Sequence, residues 1–167
     1  MKKYMEHKKE LDKKYRGFRY VVLGLTVGHR CGYVSLPKGH PLYGVSYSEQ
    51  LPITLKRIGK ESVGKRGVIP ILCSSGLKPD DRINMELLFD VHGSITFSGK
   101  LKDFYGYWIG FDCAHSGDAK DFSLMSKEMR KSYENWPDLV GDVVRTTDYV
   151  EQECKNLIDQ VIKHFKY

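Results

Sequence analysis

The chain has 167 residues, of which 41% are hydrophobic and 29% charged, a composition typical of one soluble globular domain. No apolar run reaches the roughly 20 residues of a membrane span, and the N-terminus lacks the apolar core of a signal peptide. A cytoplasmic protein without a membrane partner is therefore expected. The net charge of +6 is concentrated in residues 1–16, and no basic stripe with interleaved aromatic residues follows, so nucleic-acid binding is not expected.

The first part of the chain is predicted to form a helix followed by a β-hairpin. Residues 2–16 carry a thin apolar stripe among many charges, which predicts a basic N-terminal helix, an appendage of the domain that packs on its sheet. β-branched and aromatic residues predict a strand over 18–26 and its hairpin partner over 31–36. Two prolines and two glycines then predict a rigid loop over 37–44.

The middle of the chain is predicted to contain most of the remaining strands. Residues 83–91 alternate in polarity, residues 94–98 extend that strand or pair with it, and the aromatic run 105–111 carries the strongest strand signal. Two less regular segments, 53–58 and 67–73, have the composition of short strands. The second contains a proline, which is typical of a sheet edge.

The last third of the chain is predicted to be helical. One helix is expected near 124–133, and the final helix has apolar residues at helical spacing from Val150 to Phe165, with Thr147 or Asp148 as its cap. Such an apolar face packs naturally on a sheet. The sequence therefore predicts a single α+β domain over residues 1–167, with a mostly antiparallel sheet.

Two polar clusters follow predicted strands, where core packing does not require them. Residues i and i+2 of a strand share a face, so Asp90 and His92 are expected to point the same way. Asp112 closes the strongest predicted strand, and His115 and Asp118 lie on the glycine-rich turn beyond it. If the two strands pair, both clusters meet at one sheet edge. The candidate catalytic residues are then His92, Asp112 and His115, with Asp90 and Asp118 as candidate ligand-binding residues.

A positively charged rim is predicted beside these clusters. Arg30 and Lys38 lie in turn-rich surroundings, and such side chains suit the capture of a phosphate or a carboxylate. His29 and His40 lie close to them in the sequence, and the hydroxyl of Ser98 is expected to line the same pocket. The alternative is a hairpin with exposed charges and no ligand.

The sequence leaves the chemistry of this site open. Two Asp and two His side chains can hold a divalent metal ion, one Asp can orient a His as a general base, or the group can hydrogen-bond a polar ligand. A second arrangement, in which His29 and Cys31 meet Cys113 and His115, has the residue types of a tetrahedral zinc site. Asp side chains that cap turns and a His that is purely structural are the alternative to any functional role.

Two motifs resemble those of a known enzyme family. Asp90-Val-His-Gly93 and Gly117-Asp118 resemble the first two motifs of calcineurin-like metallophosphoesterases, in which Asp-x-His-Gly and Gly-Asp supply metal ligands. The resemblance implies that Asp90, His92 and Asp118 are metal ligands. The chain departs from the family because the later Gly-Asn-His motif is missing.

A second resemblance covers most of the chain and is carried by five runs, namely Gly28-His-Arg-Cys-Gly-Tyr33, Pro37-Lys-Gly-His-Pro-Leu-Tyr-Gly44, Val91-His-Gly-Ser-Ile-Thr-Phe-Ser-Gly99, Trp108-Ile-Gly-Phe-Asp-Cys-Ala-His-Ser-Gly-Asp118 and Tyr149-Val-Glu-Gln-Glu-Cys154. These runs resemble a family of small proteins of phages, prophages and bacterial genomes. The resemblance implies a biological setting and no particular mechanism. A phage setting implies a protein that acts on host defence, by binding a host protein or by sequestering a nucleotide signal.

The leading hypothesis is a small phage-type cytoplasmic protein whose Asp/His pocket binds a phosphorylated or nucleotide-like ligand. If the protein is an enzyme, hydrolysis assisted by His115 or by a divalent metal is the expected reaction. The alternative is a non-enzymatic inhibitor that binds a host defence protein through the basic N-terminal helix and exposed aromatic residues, namely Tyr4, Tyr15, Tyr43 and Tyr47. The sequence leaves the ligand, the metal occupancy, the oligomeric state and the host target open.

Overall fold

An antiparallel sheet organises the chain, and the computed structural model describes residues 6–59, 72, 75–135 and 138–166. Within these residues the sheet has five strands, β1 (His7–Tyr15), β2 (Phe18–Leu25), β3 (Arg30–Leu36), β4 (Phe97–Gly99) and β5 (Tyr107–Asp112). Their order across the sheet is β1-β2-β3-β5-β4, so that β1 and β4 are its edges.

The helices are short except for the last one, and buried residues of the first, second and last helices share the main core on one face of the sheet. A single 3₁₀ turn, Phe122–Leu124, precedes the third helix, and a short parallel pair of strands, β6 (Asp118–Ala119) and β7 (Val143–Val144), lies outside the main sheet. The helices are α1 (Leu55–Ile58), α2 (Met85–Leu88), α3 (Lys127–Tyr133) and α4 (Thr147–Phe165). This arrangement confirms the α+β class, the mostly antiparallel sheet and the long C-terminal helix.

The central strands are buried on both faces because their alternate side chains meet two separate clusters. Tyr20 and Val22 of β2 belong to the main core beneath α4, whereas Val21 and Leu23 pack with Trp108 on the other face. The strands predicted over 18–26, 31–36 and 105–111 are confirmed. Their β-branched and aromatic residues suit positions that are buried on both faces of a sheet.

The C-terminal helix α4 packs on β3 and also contacts β2 and β1. Its buried face contains Val150, Cys154, Leu157, Ile158 and Val161, as the helical spacing predicts. The cap is Thr146, whose side chain accepts a hydrogen bond from the backbone N–H of Tyr149, and not Thr147 or Asp148. Helix and sheet approach closely at Gly32, where a Cβ would lie 2.7 Å from Sγ of Cys154.

The predicted N-terminal helix is wrong for the described part of residues 2–16. Residues 7–15 form β1, which pairs antiparallel with β2 along its whole length. Leu11 and Tyr15 pack against the core, and Lys13 Nζ lies 3.1 Å from Glu151 Oε1 on α4. The segment is therefore an edge strand of the sheet and not an appendage. Pairing with β2 overrides the helical preference of a Lys- and Glu-rich stretch.

The strand predicted over 83–91 is also wrong, because a capped helical turn interrupts it. The side chain of Asn84 accepts a hydrogen bond from the N–H of Leu87, which starts α2. Residues 97–99 pair with β5 and not with this segment. The short strand predicted over 53–58 is replaced by α1, and the prediction over 67–73 lies outside the described residues except for residue 72.

The two ends of β3 define two ends of the sheet. Cys31, near the start of β3, pairs with Asp112 at the end of β5, whereas Leu36 pairs with Tyr107 at the other end. The predicted polar clusters can therefore meet only at the end that holds Cys31 and Asp112. None of the helices in the described ranges is both long and apolar enough to cross a membrane.

Candidate functional site

Three of the predicted residues, His92, His115 and Asp118, meet beyond the end of β5. Nε2 of His92 lies 2.7 Å from Oδ2 of Asp118, and the two imidazole rings have centroids 5.7 Å apart. One potential ligand atom from each of the three side chains lies within 4.8 Å of the other two. We call these three residues the His–Asp trio.

A tight turn after β5 places Asp118. The N–H of Asp118 donates to the carbonyl of His115 at 3.0 Å, and the N–H of His115 donates back to Oδ2 of Asp118 at 3.0 Å. Gly117 supplies the positive φ of +91° that the turn requires. This local geometry is why the Gly-rich run after β5 brings a histidine and a carboxylate together.

Asp118 is the most buried member of the trio, with a side chain only 1% exposed. Burial alone would raise the pKa of its carboxyl. Hydrogen bonds from Arg145, from His92 and from the backbone of His115 outweigh burial and lower that pKa below its ordinary value. The Nε of Arg145 lies 2.7 Å from Oδ1 of Asp118, so the carboxylate is charged and fixed in orientation.

Helix α4 holds His92 at two points. The backbone N–H of His92 donates to Oε2 of Glu153 at 2.8 Å, and Nδ1 of its ring lies 2.9 Å from the hydroxyl of Tyr149. One consistent proton arrangement has the Tyr149 hydroxyl donating to Nδ1 while the Nε2–H donates to Asp118. The ring is thereby set between the helix and the carboxylate.

The ring of His115 packs directly over Gly93. A Cβ at position 93 would lie 2.1 Å from Cε1 of this ring, and Gly93 has a φ of +65° that favours glycine. Nδ1 of His115 is buried and has no hydrogen-bond partner among the described residues. Its nearest carboxylates, on Asp112 and Asp118, each lie 3.8 Å away, beyond hydrogen-bond distance.

A pocket of about 400 Å³ opens beside His115 and Asp118. His29, Lys120 and Tyr133 also line it, and burial lowers the pKa of His29 below its ordinary value. Nζ of Lys120 lies 4.8 Å from the centre of the Tyr133 ring and 3.7 Å from a carboxylate oxygen of Asp138. The pocket has the size of a small-molecule site and offers both hydrogen-bond donors and a carboxylate.

Two further predicted residues lie at this end of the sheet. His29 borders the pocket as expected. The carboxylate of Asp112 accepts hydrogen bonds from the hydroxyl of Thr96 at 2.9 Å and from the N–H of Ala114 at 3.1 Å. Asp112 therefore shapes the turn, and its distance of 3.8 Å from His115 places it beside the trio.

The prediction that Arg30 lies on an exposed rim is wrong. Arg30 is buried and forms ion pairs with Glu10 at 2.6 Å and with Asp121 at 2.8 Å. Its Nη1 also donates to the backbone carbonyl of Arg145 at 3.1 Å. The guanidinium of Arg30 is therefore paired inside the protein and is not available to a ligand. Its partners lie on β1, just after β6 and just before α4.

The predicted places of Lys38 and His40 are wrong because both residues follow Leu36, at the opposite end of β3 from the trio. Lys38 is exposed there. His40 is buried beside Phe165, and its Nδ1 accepts a hydrogen bond from the N–H of Leu42 at 3.1 Å. A strand of seven residues, roughly 20 Å long, separates this end from the site.

Asp90 and Ser98 also lie outside the pocket. Asp90 is exposed after α2, and its backbone carbonyl accepts hydrogen bonds from the amides of Asn156 and Gln160. The hydroxyl of Ser98 accepts a hydrogen bond from the N–H of Tyr47 at 2.8 Å. The expectation that Asp90 and His92 share a strand face fails because no strand forms there.

The alternative ligand sets are not assembled. Among the described residues, the trio is the one group of His, Cys, Asp and Glu side chains whose ligand atoms come together. The tetrahedral set of His29, Cys31, Cys113 and His115 is therefore not formed. The phosphoesterase-like set is incomplete, since His92 and Asp118 meet without Asp90.

The structure adds three residues that the sequence argument missed. Arg145 and Tyr149 hold Asp118 and His92, and Lys120 borders the pocket. Tyr149 opens one of the family-like runs, which was a usable signal. Arg145 and Lys120 lie in segments without a recognisable motif. Arg145 reaches the site because α4 packs next to it, and Lys120 because the segment after β6 lines the pocket.

The group has the residues needed for two kinds of chemistry. The imidazoles and the charged carboxylate can exchange a proton with a bound ligand, or they can serve as ligands of a metal ion. Comparisons with protein-family models, with curated proteins and with solved structures find no match to this chain. The resemblance to phage and bacterial proteins therefore stays a prediction.

Proposed function

We propose that the pocket beside His115 and Asp118 binds a small phosphorylated or nucleotide-like ligand and hydrolyses it. The observation that carries this proposal is the composition of the pocket wall. His29 and Lys120 provide donors to an anion, and two members of the His–Asp trio lie at the same surface. The volume of about 400 Å³ suits a ligand of nucleotide size.

The aromatic ring of Tyr133 supports the nucleotide-like part of this proposal. It borders the pocket next to Lys120 and offers a flat apolar surface on which a base can stack. The base of a nucleotide would then stack on the Tyr133 ring, and its phosphate would lie near Lys120 in the same pocket. The Lys120 ammonium is the group best placed to pair with the phosphate.

Hydrolysis requires that a water molecule be activated. Its oxygen attacks phosphorus, the bond from phosphorus to the leaving-group oxygen breaks, and a proton of the water reaches that oxygen. An imidazole of the trio can take that proton as general base. A metal ion held by the three side chains would lower the pKa of the water, whose proton would then pass to bulk solvent or to the leaving-group oxygen.

A cytoplasmic setting forms part of this proposal. The three described cysteines, Cys31, Cys113 and Cys154, are buried free thiols. Burial raises the pKa of each thiol, so the unreactive protonated form dominates. Free thiols of this kind are typical of a reducing compartment.

Calorimetric binding of inorganic phosphate, AMP and ADP to the full chain tests the proposal, together with hydrolysis of p-nitrophenyl phosphate and bis(p-nitrophenyl) phosphate. Lys120→Ala should weaken binding of the phosphorylated probe roughly 10- to 100-fold, because a hydrogen bond to a charged group contributes about 1.5–3 kcal/mol. Lys38→Ala, which removes an exposed Lys at the opposite end of the sheet, is the matched control. The proposal fails if none of the probes binds, or if both Lys variants bind equally well.

A second candidate function is binding of a protein partner, such as a host defence protein. The described segment 138–144 supports it, since Leu139, Val140, Val143 and Val144 are all exposed, Val140 completely. Apolar side chains that cluster on a surface mark contact sites more often than isolated ones do. The contact surface predicted from the sequence is less suitable, because Tyr15, Tyr43 and Tyr47 pack against the core. Tyr4 lies outside the described residues.

The double variant Leu139→Asp/Val140→Asp separates the two candidates. A partner that the unmodified chain captures and the double variant loses would favour the second function. The opposite outcome has two parts: the double variant still binds the phosphate probes, and both chains capture the same proteins. That outcome would favour the pocket as the functional site.

A further inference from the structure

We propose that the His–Asp trio is a binding site for one divalent transition-metal ion, for which Zn²⁺ is the simplest occupant. The ligand atoms would be Nε2 of His92, Nδ1 of His115 and Oδ2 of Asp118. The inference goes beyond the phosphorylated ligand proposed above and does not depend on it, because the ion alone is enough to test it.

The spacing of the three atoms fits a small ion. Zinc bonds of about 2.0–2.1 Å in a tetrahedral site place neighbouring ligand atoms roughly 3.3 Å apart. Oδ2 of Asp118 lies 2.7 Å from the ligand nitrogen of His92 and 3.8 Å from that of His115. These two distances lie on either side of the required value, and the two ligand nitrogens lie within 4.8 Å of each other. Shifts of about 1 Å in the side chains would therefore bring the three atoms to the spacing that zinc requires.

The buried Nδ1 of His115 is the observation that a purely structural role does not explain. Hydrogen bonding accounts for His92 and Asp118, which form a chain from Tyr149 to Arg145. It leaves His115 Nδ1 buried without a described partner. Such an atom costs free energy unless something binds to it. A metal ion accepts the lone pair of a neutral imidazole nitrogen and would satisfy it.

Glycine at position 93 makes room for the ring of His115. Its edge, Nδ1, Cε1 and Nε2, faces the backbone of Gly93, where any Cβ would collide with it. The absence of a side chain at position 93 is thus required for the ring to reach Asp118. A buried imidazole nitrogen that has no described hydrogen-bond partner and lies beside a histidine and a carboxylate is suited to bind a metal ion.

The surroundings supply the outer contacts that metal sites require. Once Nε2 of His92 binds an ion, its Nδ1–H can donate to the hydroxyl of Tyr149, which fixes the ring. Arg145 occupies Oδ1 of Asp118 and leaves Oδ2 as the ligand oxygen. The positive charge of Arg145 opposes a cation, so we expect weaker binding than at structural zinc sites with several thiolates.

The donor set selects the class of metal. Two imidazole nitrogens and one carboxylate suit zinc, iron, cobalt and similar ions, whereas Mg²⁺ and Ca²⁺ prefer sets made entirely of oxygen. Three protein ligands leave a coordination position open, as in catalytic sites. His115 and Asp118 border the pocket, so the open position is expected on the pocket side. An ion there would polarise a bound phosphate and activate water.

Titration of the chelator-treated full chain with ZnCl₂ by calorimetry tests the inference, in buffer without phosphate. We expect one Zn²⁺ per chain, and with CoCl₂ the visible absorption of a tetrahedral cobalt site. His115→Ala and Asp118→Asn should each weaken Zn²⁺ binding more than Tyr149→Phe, whose outer contact is expected to contribute about 10- to 100-fold. His7→Ala is the matched control, because His7 lies on the edge strand β1, three strands from β5, where its Nε2 faces Asp103 Oδ2 at 3.7 Å.

Three results would overturn the inference: no Zn²⁺ or Co²⁺ binding by a folded chain, equal affinity of His115→Ala and the unmodified protein, or preference for Mg²⁺ over Zn²⁺. Circular dichroism of each variant shows whether it is folded. Should Asp118→Asn unfold, His115→Ala decides alone, since its ring has no hydrogen bond to lose at Nδ1. Lys120→Ala separates the two proposals, because it should weaken phosphate binding and leave Zn²⁺ affinity unchanged.

Discussion

Two polar clusters lie at the same end of the sheet, and they differ in how completely their hydrogen bonds are satisfied. Around Arg30, the guanidinium contacts Glu10, Asp121 and a backbone carbonyl, so that its charge is matched inside the fold. In the His–Asp trio, one buried nitrogen of His115 has no described partner and a pocket opens beside it. A closed network stabilises a structure, whereas an incomplete one next to a cavity is a candidate for function.

The two clusters are connected through Arg145. Arg30 binds the backbone carbonyl of this residue, and the side chain of Arg145 binds Asp118. The Arg30 cluster therefore fixes the start of α4, from which the trio is held. Arg30 is thus linked to Asp118 through one intervening residue, and it does not lie on the exposed rim predicted from the sequence.

The largest expected effect is on the closed cluster. Arg30→Met removes a buried guanidinium and leaves the largely buried carboxylates of Glu10 and Asp121, 13% and 19% exposed, without their cationic partner. We expect the free energy of unfolding to fall by about 3–5 kcal/mol. Urea denaturation measures this loss. Arg16→Met is the matched control, because Arg16 and Asp159 form a half-exposed pair that contributes about 0–1 kcal/mol. Equal losses in both variants would remove the distinction between the two kinds of pair.

A smaller effect on stability, but a specific one on the site, is expected for Gly93→Ala. The positive φ costs about 1 kcal/mol, and the new Cβ displaces the His115 ring. Zn²⁺ affinity should fall along with stability. Gly39→Ala, with a φ of +89° and open space around the new methyl group, should show the backbone cost alone. Unchanged Zn²⁺ binding in Gly93→Ala would show that the position of this ring is not important.

The smallest effect concerns the carboxylate of Glu151 on α4, whose Oε1 accepts hydrogen bonds from the hydroxyl of Tyr20 at 2.6 Å and from Nζ of Lys13 at 3.1 Å. A hydrogen bond from Tyr20, with help from Lys13 and Lys155, lowers its pKa from 4.5 to about 2. Because the folded-state pKa is the lower one, this stabilisation is present above pH 4.5 and disappears as the pH falls toward 2. Thermal unfolding across that range should show a steeper loss for the unmodified chain than for Glu151→Gln. Asp80→Asn, an exposed change in a loop, should retain the original slope.

Much of the architecture could be predicted because it depends on local patterns. The apolar face of α4 and the aromatic run of β5 depend on spacing within one segment, and both were found. The N-terminal segment was predicted as a helix because its Lys and Glu residues favour one in isolation. Pairing with β2, which lies further along the chain, decides its structure instead.

The candidate site was predicted in part, for a related reason. His115 and Asp118 share one turn, so their proximity follows from the local sequence. His92 joins them through contacts with α4. The strand argument that paired His92 with Asp90 was wrong, because Asn84 starts a helix before that position. Burial of Arg30 and the distant places of Lys38 and His40 depend on the register of β3, which spacing alone does not reveal.

The position of β1 at the edge of the sheet determines where the positive charge of the N-terminal segment lies. Lys8, Lys9, Lys13 and Lys14 lie exposed along a strand whose outer side has no described neighbour in the sheet. Open edges of this kind are templates on which a second chain can add a strand, and rows of lysine prevent it because two such edges repel each other. The positive charge that was predicted to lie on a helix thus lies along a sheet edge, where it is of the kind that disfavours pairing with a second copy of the same edge.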